Sequence, residues 1–154
     1  GLTVQAFAAP GHTRDFTSYW IAARKILVAS EAVGNNDGAG TVLPEFLVDI
    51  DGYLANIARF AQLDIEVLCP GHKLVLTGED AREHLRRSPE ATLRYIALAE
   101  EFLRDVKGDL DAAAEMIKEA EWEPLPWPKQ PEQAYMLNTR QRVLKVWERM
   151  RGGE

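Results

Sequence analysis

Cysteine is nearly absent: Cys69 is the only one, so no internal disulfide can brace the chain, and a lone thiol fits a reducing, cytoplasmic compartment. No apolar run approaches the ~20 residues that cross a bilayer, which argues against a membrane partner. A basic excess is also missing. Lys and Arg number 18 against 24 Asp and Glu, for a net charge of −6, and they are dispersed. The densest basic group, Arg82, Arg86 and Arg87, reads as a solvated helix face, so nucleic acid is not an expected partner. The N-terminus lacks the basic-then-apolar pattern of a signal peptide. It opens in alternation like a strand inside a sheet, Leu2-Thr3-Val4-Gln5-Ala6-Phe7, from which we expect the chain to be part of a longer polypeptide.

Hydrophobic residues make up 46% and charged residues 27%, the balance of a soluble globular protein, and 154 residues suffice for one domain with a real core. Histidine is scarce, with three in all, yet two share a setting. Ala9-Pro10-Gly11-His12-Thr13 follows a period-two run, and Cys69-Pro70-Gly71-His72 follows the apolar run Ile65 to Leu68. Between them, Phe16 to Ala22 and Ile26 to Ala29 read as a hairpin that delivers Ser30-Glu31 at its end. A Gly-, Asn- and Asp-rich loop covers 33–44, longer than most connections and open to reading as a cleft cover or a plain surface loop. Asp51 is the expected cap of a helix burying Leu54, Ile57, Ala58 and Ala61. Strand, helix and strand together suggest a βαβ crossover.

From Thr77 on, the pattern is helical. Ser88-Pro89 reads as a fresh helix start, with Leu93, Ile96, Ala99, Leu103 and Val106 on one stripe and Gly108 as the stop. Asp109 caps a short helix burying Leu110, Ala113, Ala114 and Ile117. Pro124, Pro126, Pro128 and Pro131 mark an extended strap whose Trp122 and Trp127 pack on the body. A last helix from Glu132 to Met150 turns Leu137, Leu144, Trp147 and Met150 inward.

Neutral imidazole and carboxylate are the usual ligands of Zn²⁺ and non-haem iron, and strand ends hold such ligands rigidly. The glycine before each histidine allows close backbone approach. The order Ala-Pro-Gly-His12-Thr13, Tyr19 in a strand, an apolar strand ending at Glu31, then helix, strand and Cys-Pro-Gly-His72 resembles the C-terminal half of the metallo-β-lactamase-fold hydrolases, of glyoxalase II-like kind. The resemblance covers roughly residues 2 to 80. It implies an α/β chain forming the C-terminal half of an αββα fold, with one mixed sheet and flanking helices over 1–87. Residues 88–154 then form a helical extension packed on it.

The resemblance further implies two divalent metal ions, zinc or else iron, held in part by His12, Glu31 and His72. The Glu31 position would bridge the two. The implied activity is hydrolysis of an ester, thioester or lactone-type bond in a small-molecule substrate, with the 33–44 loop bordering the cleft. Two departures stand out. The bridging residue is usually Asp, and Glu31 is one methylene longer. The family's HxHxDH cluster, which includes the water-orienting Asp, is absent, so the chain alone is expected to be inactive and no catalytic residue is assigned. An apolar sheet face is expected to need a partner: the N-terminal half, another chain or a second copy. A non-catalytic relative with a degenerate site and a non-haem iron enzyme on the same fold are the alternatives. Asp15 is open to reading as an orienting partner of His12 or a turn residue, Cys69 as a reactive thiol or a small strand-end residue, and His84 as a surface residue.

Overall fold

The computed structural model describes residues 1–36, 40–72 and 74–152. Part of the 33–44 loop, residues 37–39, lies outside them, as does Lys73. Strands β1 (Gln5–Ala8), β2 (Thr17–Ile21), β3 (Ile26–Ser30), β6 (Val67–Pro70) and β7 (Leu76–Thr77) form one mixed sheet in the order β1-β2-β3-β6-β7. The two-residue strands β4 (Asn35–Asn36) and β5 (Val42–Leu43) pair separately within the loop. Helices are α1 (Ile50–Phe60), α2 (Gly78–Asp105), α3 (Leu110–Ile117) and α4 (Glu132–Gly152). The chain divides into two compact units, 1–92 and 93–154, with the division inside α2.

In the first unit the expected hairpin is β2–β3, turned at Lys25 with φ 53°, and β3 and β6 are parallel on either side of α1, completing the βαβ crossover. Because β1 and β3 both run antiparallel to β2, strands β1, β3 and β6 share one direction. Their C-terminal ends therefore lie on one edge of the sheet. The opening alternation suggests a strand inside a sheet, but β1 is at the edge, and Leu2 and Val4 are exposed.

Alternation sorts the sheet's faces. Trp20, Leu27, Ala29 and Leu68 point to a core completed by Val33, Phe60, Ala81 and Leu85, so α1 and the start of α2 cover this side. On the other face Ala6, Tyr19, Val28 and Cys69 stand in one cross-strand row. Tyr19 is 45% exposed and Val28 36%.

Two helix starts differ from expectation. The α1 cap is Asp49, whose side chain accepts from Gly52 N–H at 3.0 Å, two residues before the expected Asp51. At Ser88-Pro89 there is no restart, because α2 runs through with Pro89 inside it. Ser88 donates instead to Val33 O at 2.7 Å.

In the second unit, α3 is capped by Asp109 and buries Ala113, Ala114 and Ile117, as expected. Gly108, at φ 86°, ends α2 and lies against the ring of Trp147. The stripe of α4 is rotated from the expected one: Tyr135, Met136, Thr139, Arg142, Val143 and Val146 are buried and Leu137 is exposed. Leu93 on α2 is likewise exposed. Arg142 stacks between the rings of Tyr95 and Tyr135, so a cation takes space that aliphatic counting would give to leucine. Trp122 is buried as expected, its Nε1–H donating to Gln130 O, whereas Trp127 is 75% exposed.

Candidate functional site

The shared direction of β1, β3 and β6 decides where the chemistry-bearing residues lie. Glu31 follows β3 directly, His72 comes two residues after β6, and His12 four after β1. All three thus emerge at the edge where open α/β sheets place ligands. The register of β3 against β6 shifts between Val28 and Ser30, and Ser30 adopts φ 49°. Such an irregularity re-aims the next side chain. His72 has φ 70°, and non-glycine residues held in the left-handed region concentrate at functional sites.

Glu31 is the hub. Its Oε2 accepts from Ser30 Oγ at 2.5 Å and its Oε1 is 3.3 Å from His72 Nε2. Burial pushes its carboxyl up, but the Ser30 hydroxyl, its own main-chain N–H and the charges of His12 and His72 outweigh that and hold it below the usual carboxylate range. His72 therefore stands beside a half-buried carboxylate that favours its ionised form, with His12 contributing through its charge. His72 stands at the solvent rim, with 66% of its side chain exposed.

The His12 turn is tied down mainly through its backbone. Gly11 O accepts from Leu47, Val48 and Asp49 N–H at 2.9, 2.9 and 3.3 Å, and Asn56 Nδ2 donates to Pro10 O at 2.6 Å. Gly11 has φ 143°, and a Cβ there would sit 2.7 Å from Tyr53 Cβ, so α1 packs directly on the turn. Gly71 is used differently: a Cβ on it would meet Asn35 Oδ1 at 2.4 Å and the Glu31 carboxylate at 3.1 Å. The glycine before each histidine thus makes room, on one side for a helix and on the other for the site's own polar atoms.

Two residues near the site were not among the sequence candidates. Asn35 and Glu45 are 8% and 5% exposed, and Asn35 Nδ2 donates to Glu45 Oε1 at 3.1 Å. Asn35 Oδ1 and Glu45 Oε2 are buried and have no hydrogen-bond partner among the described residues. Buried polar groups are normally satisfied, so two electron-rich atoms left open here suit a cationic neighbour. The donor set of imidazole nitrogen and carboxylate oxygen suits Zn²⁺ or iron. Its number falls short: among the described residues, no group of three or more His, Cys, Asp or Glu is gathered to hold a metal ion.

Of the secondary candidates, Asp15 is a turn residue, accepting from Thr13 Oγ1 and, through its carbonyl, from Thr17 Oγ1. His12 Nδ1 is met by the carbonyl of Glu45 at 2.7 Å instead. Cys69 is half-buried in the sheet. The surface reading of His84 is overturned: it is 3% exposed, and its Nε2–H donates to Val33 O at 3.1 Å. Position supplied the missed signal, since His84 shares its helix face with buried Ala81, Leu85 and Ser88.

A mixed sheet with a βαβ crossover and an imidazole–carboxylate cluster at its C-terminal edge defines the class: an α/β protein with a strand-end site. No protein-family model and no curated protein matches the sequence. Solved structures do match, and they point to one fold. A metallo-β-lactamase family protein of Thermus thermophilus aligns with TM-score 0.60 and 16% identity over 97% of this chain and 44% of its own. An archaeal metallo-β-lactamase superfamily protein of Sulfolobus tokodaii gives 0.52 and 15% over 96% and 47%. A β-lactamase domain protein of Burkholderia ambifaria gives 0.60 and 11% over 94% and 40%. The chain has part of the metallo-β-lactamase fold, and it spans less than half the length of each of these proteins.

Proposed function

We propose that the chain is the C-terminal part of a metal-dependent hydrolase of the metallo-β-lactamase superfamily, acting in the cytoplasm on an ester, thioester or lactone-type bond. His12, Glu31 and His72 are its contribution to a site for two divalent ions, zinc by preference and iron as the alternative. The observation that carries this reading is the Glu31 carboxylate, held below the usual carboxylate range with His72 3.3 Å away and within the electrostatic reach of His12, at the edge shared by β1, β3 and β6. When bound, such ions polarise the scissile carbonyl and make water easier to deprotonate.

The chain's own residues supply charge and placement. Ser30 holds one oxygen of Glu31 and leaves the other toward His72. The remaining ligands and the water-orienting Asp belong to an N-terminal half with an HxHxDH cluster, which would also cover the exposed row of Tyr19 and Val28. The test is hydrolysis of ester, thioester and lactone substrates by the longer polypeptide, with chelator as control. Chelator-sensitive turnover that falls at least tenfold in His12→Ala, Glu31→Ala and His72→Ala supports the reading. A longer polypeptide without HxHxDH, or turnover indifferent to chelator, overturns it. The second reading, a non-catalytic relative, is favoured by Glu31 standing where Asp is usual, and it predicts metal binding without turnover.

A further inference from the structure

Glu45 bears on His12 through two groups. Its carbonyl lies 2.7 Å from His12 Nδ1, and its buried Oε2, with no hydrogen-bond partner among the described residues, stands 4.0 Å from the same nitrogen. The residue is itself clamped, its main-chain N–H donating to Tyr53 Oη at 3.1 Å and its Oε1 accepting from Asn35 Nδ2 at 3.1 Å. A carbonyl only accepts, so Nδ1 must carry a proton, and in the neutral ring the lone pair is left on Nε2. A carboxylate on the Nδ1 side, in a region of low dielectric, stabilises that N–H dipole and enriches the electron density at Nε2.

We propose that Glu45 is a positioning residue for His12: its carbonyl and carboxylate together fix the imidazole as the Nδ1–H tautomer and leave Nε2 as the donor nitrogen. The tautomer stands on geometry alone; its consequence for metal affinity rests on the reading of His12 as a ligand. Asn35 belongs to the same device, because its amide holds one carboxylate oxygen and so fixes where the other points. The competing role is structural, with Glu45 serving only to anchor Asn35 and the 33–44 loop. Glu45→Gln separates the two, since glutamine keeps an oxygen for Asn35 Nδ2 and removes the charge beside His12.

The experiment is long-range ¹H–¹⁵N NMR of the imidazole rings in the metal-free chain, for the wild type, Glu45→Gln and Asn35→Ala, with the buried His84 as internal control. The wild type is expected to hold His12 as Nδ1–H. Glu45→Gln should raise the Nε2–H share and move both ring nitrogens of His12 while the His84 signals stay fixed, and Asn35→Ala should act in the same direction. Zinc titration of the longer polypeptide, in which the site is completed, should then show Glu45→Gln binding about tenfold or more weaker. His12 ring signals unchanged in both variants, with the His84 signals intact, overturn the proposal. Altered ring signals without zinc uptake by any form leave the positioning role in place and count against the metal reading instead.

Discussion

His84 is a buried imidazole whose surroundings favour its neutral form. Burial dominates and depresses its pKa; the Val33 and Gly34 backbone oppose this and Arg87 adds to it. With the folded value below the ordinary 6.5, the unfolded chain binds the proton more readily, so stability falls as pH drops from 6.5 toward the folded value. Above 6.5 this contribution is fully present. Urea unfolding between pH 8 and 5 should show this loss, and His84→Gln, which keeps an N–H for Val33 O, should remove it, with a slope difference of at most about 1.4 kcal/mol per pH unit. Equal slopes would mean that His84 protonates freely in the folded state.

The two Pro-Gly-His glycines make a second residue-scale prediction. Gly71→Ala must displace only the side chains of Asn35 and Glu31, an overpacking cost of about 1–3 kcal/mol, and it should disturb the Glu31–His72 pair. Gly11→Ala meets the backbone of α1 at Tyr53 Cα, 2.8 Å away, and adds φ strain, so it should destabilise more. Thermal melts of the two variants decide the order. The strand-end placement of His12, Glu31 and His72 is legible because each follows an apolar run. Glu45 is not: its link to His12 spans 33 residues and no local pattern announces it.

Among the elements, those with local signals were readable and those set by tertiary contact were not. The β2–β3 hairpin, the β3–α1–β6 order and α3 follow from period, turn residues and capping, although α1 buries Tyr53, Ile57 and Phe60 and leaves Ala58 and Ala61 of the expected stripe exposed. The α1 cap moved to Asp49 because its side chain reaches Gly52 N–H, and Asp49→Ala should cost about 1 kcal/mol in chemical unfolding while Asp51→Ala costs less. Pro89 misled as a helix start. Its helix continues, and Ser88, His84 and the Val33 carbonyl tie that helix to the segment just after Glu31. The α4 stripe was misplaced because Arg142 stacks on two tyrosines, an inward cation that hydrophobic periodicity cannot foresee.

At the scale of the molecule, the sheet has one covered face and one that is partly exposed. The row Ala6, Tyr19, Val28 and Cys69 carries no charge, and an uncharged, partly exposed sheet face is where a partner would dock. Under the proposed function that partner is the N-terminal half. Val28→Lys should therefore be near neutral in the 154-residue chain and cost several kcal/mol in the longer polypeptide, as burying an unpaired charge does. A second copy of the chain in its place would show as a dimer that Val28→Lys dissolves.

Under the proposed function, His12, Glu31 and His72 supply part of a metal site completed elsewhere in a longer polypeptide. Metal content of purified protein tests it most directly. The longer polypeptide should carry close to two zinc or iron ions per chain, the His12→Ala and His72→Ala variants fewer, and the 154-residue chain far less than one. A longer polypeptide with no metal above background, or the same content in the variants as in the wild type, would contradict it.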